Sequence, residues 1–372
     1  MTIQDYQLVG AQHSYYSAKV RACLQYKRLP YQEIGANIET ILNRVIPATG
    51  NQQFPVVFCP DGTVLKDGCD IVEALEARHP ERPIMPENQQ LKFLATLIET
   101  LADEFFVIPM IYYRWIPEET KQWGIGMFQT LLGKNVENPD MAALAHQMGD
   151  TISTEIRSRL PKVGLDRKEI QDKAQRITKE VCKLLDEHLA ETPYILGERP
   201  SLADLGMINA MWGHLYLDPC EPSMLIRNNY LHLNNWITNM HCGAGISDQG
   251  ELYIADSLIP LLQYMSEAFA AMMNDILAAA DQTLPEAEAG TEAPAGLGQI
   301  DTVLQSAVLS RPAATYTAWR LQRVIEAYQA IPEQQKTATD DLLTDIGFLS
   351  ICQRSLPWRL QKENFKLFVA SP

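Results

Sequence analysis

The sequence contains no C-x-x-C pair, and its seven cysteines, an odd number, are scattered along 372 residues. That pattern excludes a disulfide framework, gives no zinc-binding spacing and fits a reducing cytoplasm, the expected location. Nor is there an excess of basic residues: 31 Lys and Arg stand against 46 Asp and Glu, for a net charge of −15. Such a chain repels phosphate backbones and anionic lipid, so neither nucleic acid nor a membrane surface is an expected partner. No segment approaches the ~18 uninterrupted apolar residues of a membrane-spanning helix. The opening MTIQDYQLVG has no basic leader followed by an apolar stretch, so no export signal is expected. No repeat of solenoid length occurs. The seven histidines, His13, His188, His214 and His241 among them, show no metal-ligand spacing and read as structural, with no metal required.

What is present changes its period along the chain. YQLVG and YQEIG read as short strands around a helix from Ala18 to Lys27, where Val20, Cys23 and Leu24 share a face. FPVVFCPDGTVLKDG reads as two strands around an Asp61-Gly62 turn, a dipeptide whose glycine supplies the positive φ of a tight hairpin. A helix from about Gly68 to His79 follows, apolar at Ile71, Val72 and Leu75 and stopped by Pro80. This order predicts a small mixed sheet with helices packed on it.

From Leu91 the pattern turns helical, with Leu94, Leu97, Ile98, Leu101, Phe105 and Ile108 at three- and four-residue spacings and Pro109 expected to kink the helix. Further helices are predicted at roughly 140–160, 166–190, 202–216, 223–240 and 251–280. In PSLADL, Ser201 and Asp204 have the spacing of a reciprocal helix cap. DQTLPEAEAGTEAPAGLGQ is acidic and rich in Ala, Gly and Pro, the composition of a linker or mobile loop. Beyond it, Tyr316, Trp319, Val324 and Tyr328, then DDLLTDIGFLSI, carry enough apolar surface to need a partner, either as a cap on the helices or as a lid on a substrate cleft.

These elements together resemble the glutathione transferase superfamily. The resemblance rests on SYYSAKVRACLQYKRLPYQEI, with Lys19, Val20 and Arg21 as its KVR, on FPVV, on KDGCDIVEALEARHP and on YILGERPSLADL, in order over about 240 residues. It implies an α/β thioredoxin-like domain at 1–85 that binds glutathione, an all-α domain at 90–280, a linker at 281–296 and a mostly helical extension at 297–372 outside the common family plan. It also implies a homodimer.

The chemistry implied needs a thiolate, because an ordinary thiol has a pKa near ~8.5. A hydroxyl donor at the positive end of a helix stabilises negative sulfur. Ser14, five residues before Lys19, stands where the serine-type, zeta-like members carry that donor; the competing reading is a helix cap at Ser14 or Ser17, with Ser17 the preferred cap. A cis Phe54-Pro55 bond would turn the Phe54 backbone toward the peptide of glutathione. Asp67 would take its ammonium, and the helix start at Gly68 its γ-glutamyl carboxylate. Gly68 replaces the usual serine, and PATGNQQFP changes the spacing before Pro55, leaving Asn51, Gln52 and Gln53 for the glycyl end.

A small hydrophobic or electrophilic second substrate is expected between the domains, bordered by Tyr15 and Tyr16 and by Tyr112, Tyr113, Arg114 and Trp115; aromatics at helical spacing also fit a core, and Arg114 a surface ion pair. Cys23 reads as an inert core residue, whereas Cys59 and Cys69 read as more accessible. None stands at position 14, which favours hydroxyl-assisted conjugation over thiol exchange. The reaction expected is attack on an electrophile, or glutathione-assisted isomerisation or ether cleavage, and the rival is a binding or scaffold protein that keeps the fold without the chemistry.

Overall fold

The computed structural model describes residues 5–243 and 246–371. Contacts gather into two compact units, each built from three stretches of chain: Met1–Ile84, Met110–Arg159 and Asp204–Asp248 in one, Met85–Pro109, Leu160–Ala203 and Gln249–Pro372 in the other.

The first unit carries the thioredoxin-like sheet. Strands β1 (Tyr6–Gly10), β2 (Tyr31–Gly35), β3 (Val56–Phe58) and β4 (Val64–Lys66) lie in the order β2-β1-β3-β4. The helix Tyr15–Tyr26 provides the crossover that a parallel β1–β2 pair requires, while β3 runs antiparallel to β1 and to β4. The predicted Asp-Gly hairpin is present: Gly62 has φ 86°, and Asp61 Oδ1 accepts from the Thr63 N–H at 2.9 Å. Val9 and Val56, opposite each other in the register, pack in a core with Leu131, Leu132 and Ala145 from the helices Glu118–Gly133 and Pro139–Ser158. Leu8 and Val57, the alternate positions, are also buried. The central strands are therefore covered on both faces and read as nearly continuous apolar runs.

The second unit is built around the helices Gln89–Thr100, Lys168–Glu191 and Ile259–Thr283. Pro109 cannot donate to the carbonyl four residues back, at Phe105, and the helix passes through a π turn at Leu101–Phe105 before it resumes at Val107. The regular α-helical ladder is thus interrupted before Pro109, which itself lies inside the resumed helix. The helix Lys168–Glu191 buries Ile170, Ala174, Ile177, Val181 and Leu185, one stripe at the predicted spacing.

The extension contains helices Thr315–Gln329, Glu333–Asp345 and Leu349–Cys352. It also forms two hairpins that periodicity did not reveal, β5–β6 (Gly296–Leu304 and Ala307–Ala314) and β7–β8 (Arg359–Glu363 and Lys366–Ala370). The segment read as a mobile linker is tied down: Gly290 N–H donates to Val369 O at 2.7 Å, Ala293 N–H to Leu367 O at 2.8 Å, and Thr291 O accepts from Val369 N–H at 3.0 Å. The predicted helix at 223–240 is two helices, Glu221–Asn228 and Leu231–Cys242, and Glu118–Gly133 is an additional one. Among the described residues no helix is long and apolar enough to cross a membrane.

Candidate functional site

The sheet register determines which loops meet. Val9 pairs with Val56, and Val56 with Lys66, so the loop after Gly10, the Phe54-Pro55 bond and Asp67 all leave the sheet at the same end. The Phe54-Pro55 bond is cis. Among the described residues the Phe54 N–H and C=O have no hydrogen-bond partner. Asn51, Gln52 and Gln53, just before it, are exposed, and Asn51 Oδ1 accepts from the Gln53 N–H at 3.0 Å.

Ser14 is the N-cap of the helix Tyr15–Tyr26, with extended backbone (φ −83°, ψ 129°) and its Oγ accepting from the Ser17 N–H at 3.4 Å. This corrects the expected preference for Ser17 as the cap: Ser17 lies in the first turn, fully buried, with its Oγ accepting from the Ala11 N–H at 3.3 Å. No acidic residue occupies the first turn, so the positive helix end is not offset there. Arg21 anchors the loop from below, donating to Ala11 O at 3.2 Å and gripping Glu33 with two hydrogen bonds at 2.6 and 2.8 Å.

Asp67 has φ 76°, a conformation rare for a residue with a side chain, and caps the helix Gly68–Arg78 by accepting from the Cys69 N–H at 3.0 Å. A Cβ built on Gly68 would lie 3.9 Å from the Tyr16 carbonyl oxygen, so the starts of the two helices are neighbours. Ser14, Phe54, Pro55, Asp67 and Gly68 thus share one end of the first unit.

The proposed acceptor residues divide differently. Tyr16 is 41% exposed, whereas Tyr15, Tyr112, Tyr113 and Trp115 are buried, Trp115 stacked on Phe128. Arg114 is neither a receptor for an anionic substrate nor a surface residue. It is buried with Asp218, to which its Nε and Nη2 donate at 2.7 and 2.6 Å, and Nη2 also reaches Gly213 O at 2.5 Å. A fork committed in this way is not offered to a ligand. Cys59 and Cys69, read as accessible, are both buried. Burial pushes the Cys59 thiol above its ordinary value and Cys23 up to about 12, which suits inert core residues.

Sequence reasoning missed the π turn Met211–Tyr216. Its Trp212 Nε1–H donates to Gln12 O at 3.1 Å and its indole stacks on His241, while the His214 ring packs against Tyr15. The one local hint is a glycine inside the apolar run MWGHLY.

Three histidines near this loop stay neutral. His13 is held down to about 3 by burial, then by Arg114 and Arg21, and His241 to about 4 by burial, then Arg21. His214 lies well below 6.5 through burial, then Arg114 and His13. Each takes up a proton more readily unfolded than folded, so their contribution is fully present above pH ~6.5 and is lost as pH falls toward the folded values. The urea midpoint should therefore drop between pH 7 and pH 5, and His241→Gln should flatten that slope. An unchanged slope in the variant would contradict the assignment.

A glutathione S-transferase N-terminal domain model matches residues 8–83, and a glutathione S-transferase C-terminal domain model matches residues 146–241. The chain thus carries an N-terminal and a C-terminal domain of the glutathione S-transferase family. The first transferase match spans Ser14, Pro55, Asp67 and Gly68, and the second spans the π turn and Asp218. No curated protein matches the chain. Among solved structures it is similar to the beta-etherase LigF from Sphingobium sp. strain SYK-6, at 18% identity over 71% of this chain and 99% of that one, with a TM-score of 0.43. It is also similar to a glutathione S-transferase from Methylobacterium radiotolerans solved with glutathione sulfonate (18%, 68% and 96%, TM-score 0.40). A third is a Ceriporiopsis subvermispora glutathione S-transferase in complex with glutathione (16%, 66% and 100%, TM-score 0.43).

Proposed function

We propose that the protein is a glutathione transferase whose first 85 residues bind the tripeptide and whose Ser14 hydroxyl stabilises its thiolate. The observation that carries this reading is the convergence of a serine-capped helix start, an unpartnered Phe54 peptide unit and the Asp67-Gly68 helix start at one end of the sheet. The Phe54 N–H and C=O pair with the cysteinyl backbone of glutathione in antiparallel fashion. Amides at the start of Gly68–Arg78 take the γ-glutamyl carboxylate, and Asp67 takes the ammonium. The sulfur then lies at the start of Tyr15–Tyr26, where the Ser14 O–H donates to it and the helix end favours negative charge. The thiolate attacks an electrophilic carbon, forming a C–S bond as the leaving group departs with its electron pair; glutathione-assisted isomerisation and ether cleavage begin with the same nucleophile. Tyr16, exposed beside this end, is the candidate for contact with a small hydrophobic acceptor. In this reading the protein works in the cytoplasm as a homodimer, and a monomeric mass at micromolar concentration would contradict the dimer.

Gly68 favours a second reading, a binding protein that has kept the fold without the chemistry, because the usual serine hydroxyl is missing. Calorimetric titration with glutathione separates the two. Binding in the micromolar to low-millimolar range supports the enzyme, and no heat at millimolar ligand supports the scaffold. A serine would fit: a Cβ at Gly68 meets nothing closer than Lys19 Cδ at 3.6 Å, an ordinary contact. Gly68→Ser should therefore tighten glutathione about tenfold, the low end for a hydrogen bond to a charged group. Unchanged or weaker binding would remove the γ-glutamyl group from this position.

A further inference from the structure

The Ser14 cap bond is long, at 3.4 Å, and does little by itself to fix the hydroxyl. Its neighbours are held from outside the helix by three consecutive residues of the π turn. Trp212 reaches Gln12 O, His214 packs on the Tyr15 ring, and Gly213 lies directly against the Ser14–Tyr15 peptide. A Cβ on Gly213 would sit 3.0 Å from both Tyr15 N and Tyr15 Cα and 3.1 Å from Ser14 C. All three are backbone atoms, so relief requires the peptide itself to move. The turn is poorly placed to retreat, because Arg114 donates to Gly213 O while its fork is locked on the fully buried Asp218. Trp212 is held further by stacking on His241 with 3.3 Å between ring centroids. We propose that Gly213, braced by the Arg114–Asp218 pair, is the positioning residue that sets where the Ser14 hydroxyl points.

This proposal rests on the reading of Ser14 as thiolate donor. Displacement of a positioned group by about 1 Å costs on the order of 10²-fold in rate. Because Gly213 acts through Ser14, removing the hydroxyl first should abolish its effect.

The test measures the pKa of glutathione bound to the protein from its thiolate absorbance, together with turnover, in wild type, Ser14→Ala, Gly213→Ala and the double variant. Gly213→Ala should raise the bound thiol pKa toward the Ser14→Ala value and lower kcat 10- to 100-fold with little change in KM for glutathione. The double variant should be no worse than Ser14→Ala. A Gly213→Ala protein with wild-type thiol pKa, or losses that add in the double variant, would overturn the positioning role while leaving the Ser14 reading intact. An unchanged thiol pKa in Ser14→Ala would overturn both. If Gly213→Ala does not fold, Trp212→Phe, which keeps an aromatic ring beside His241 and removes the hydrogen bond to Gln12 O, gives the same readout: a raised pKa supports the proposal and a wild-type pKa overturns it.

Discussion

Ser14→Ala is expected to lower turnover of glutathione with an electrophilic acceptor by about 10²- to 10³-fold, the loss typical of removing one donor to a developing or stabilised anion. Glutathione affinity should change little, because the γ-glutamyl and cysteinyl backbone contacts assigned to Asp67, Gly68 and Phe54 remain. The same substitution removes a helix cap, which costs about 1 kcal/mol of stability, so a modest fall in melting temperature is expected with the kinetic loss. Ser14→Asp separates the two roles. Aspartate caps as well as serine does, but once ionised it has no proton to donate and brings negative charge to the sulfur. It should keep the melting temperature near wild type and still lose turnover. A Ser14→Asp protein that is as active as wild type would reduce Ser14 to a cap.

Truncation after Pro285 should abolish cooperative melting of the second unit. The removed residues are integral to that unit's core. Leu297, Leu304, Leu309, Leu321, Val324, Ile325, Phe348 and Ile351 are all buried, and the β5–β6 hairpin packs along the helix Ile259–Thr283. Burying one such side chain fully stabilises by about 1.5–3 kcal/mol, and a domain's net stability is only about 5–15 kcal/mol. Truncation also deletes Arg320, whose guanidinium, 1% exposed, bridges Glu99 at 2.9 Å and Asp103 at 3.2 Å. Removing one partner of a buried ion pair costs about 3–5 kcal/mol by itself. A truncated chain that stays soluble and melts at the wild-type temperature would contradict this account of the extension.

The contrast between what the sequence revealed and what it hid follows from the range of the interactions. The βαβ start, the Asp61-Gly62 hairpin and the helix ending at Arg78 are written in local periodicity and turn chemistry, and they settle the sheet order that brings Phe54, Asp67 and the Ser14 loop together. The hairpins of the extension are not written that way. Their turns place Gln305, Ser306, Asn364 and Phe365 at positive φ, where the usual glycine signal is absent. Choosing Ser14 over Ser17 as the cap required backbone angles that two similar hydroxyls three residues apart do not distinguish. Arg114 and Asp218 are 104 residues apart, and Arg320 and Glu99 are 221 apart. No period links them, and charged residues within apolar stretches give no sign of the partner that lets them be buried.

The most direct measurement of the central claim is the pKa of the glutathione thiol in the complex, read from thiolate absorbance as pH is varied. The account predicts a value clearly below the ordinary thiol value of ~8.5, returning toward it in Ser14→Ala. A bound thiol that titrates as it does free in water, in both wild type and variant, would contradict it.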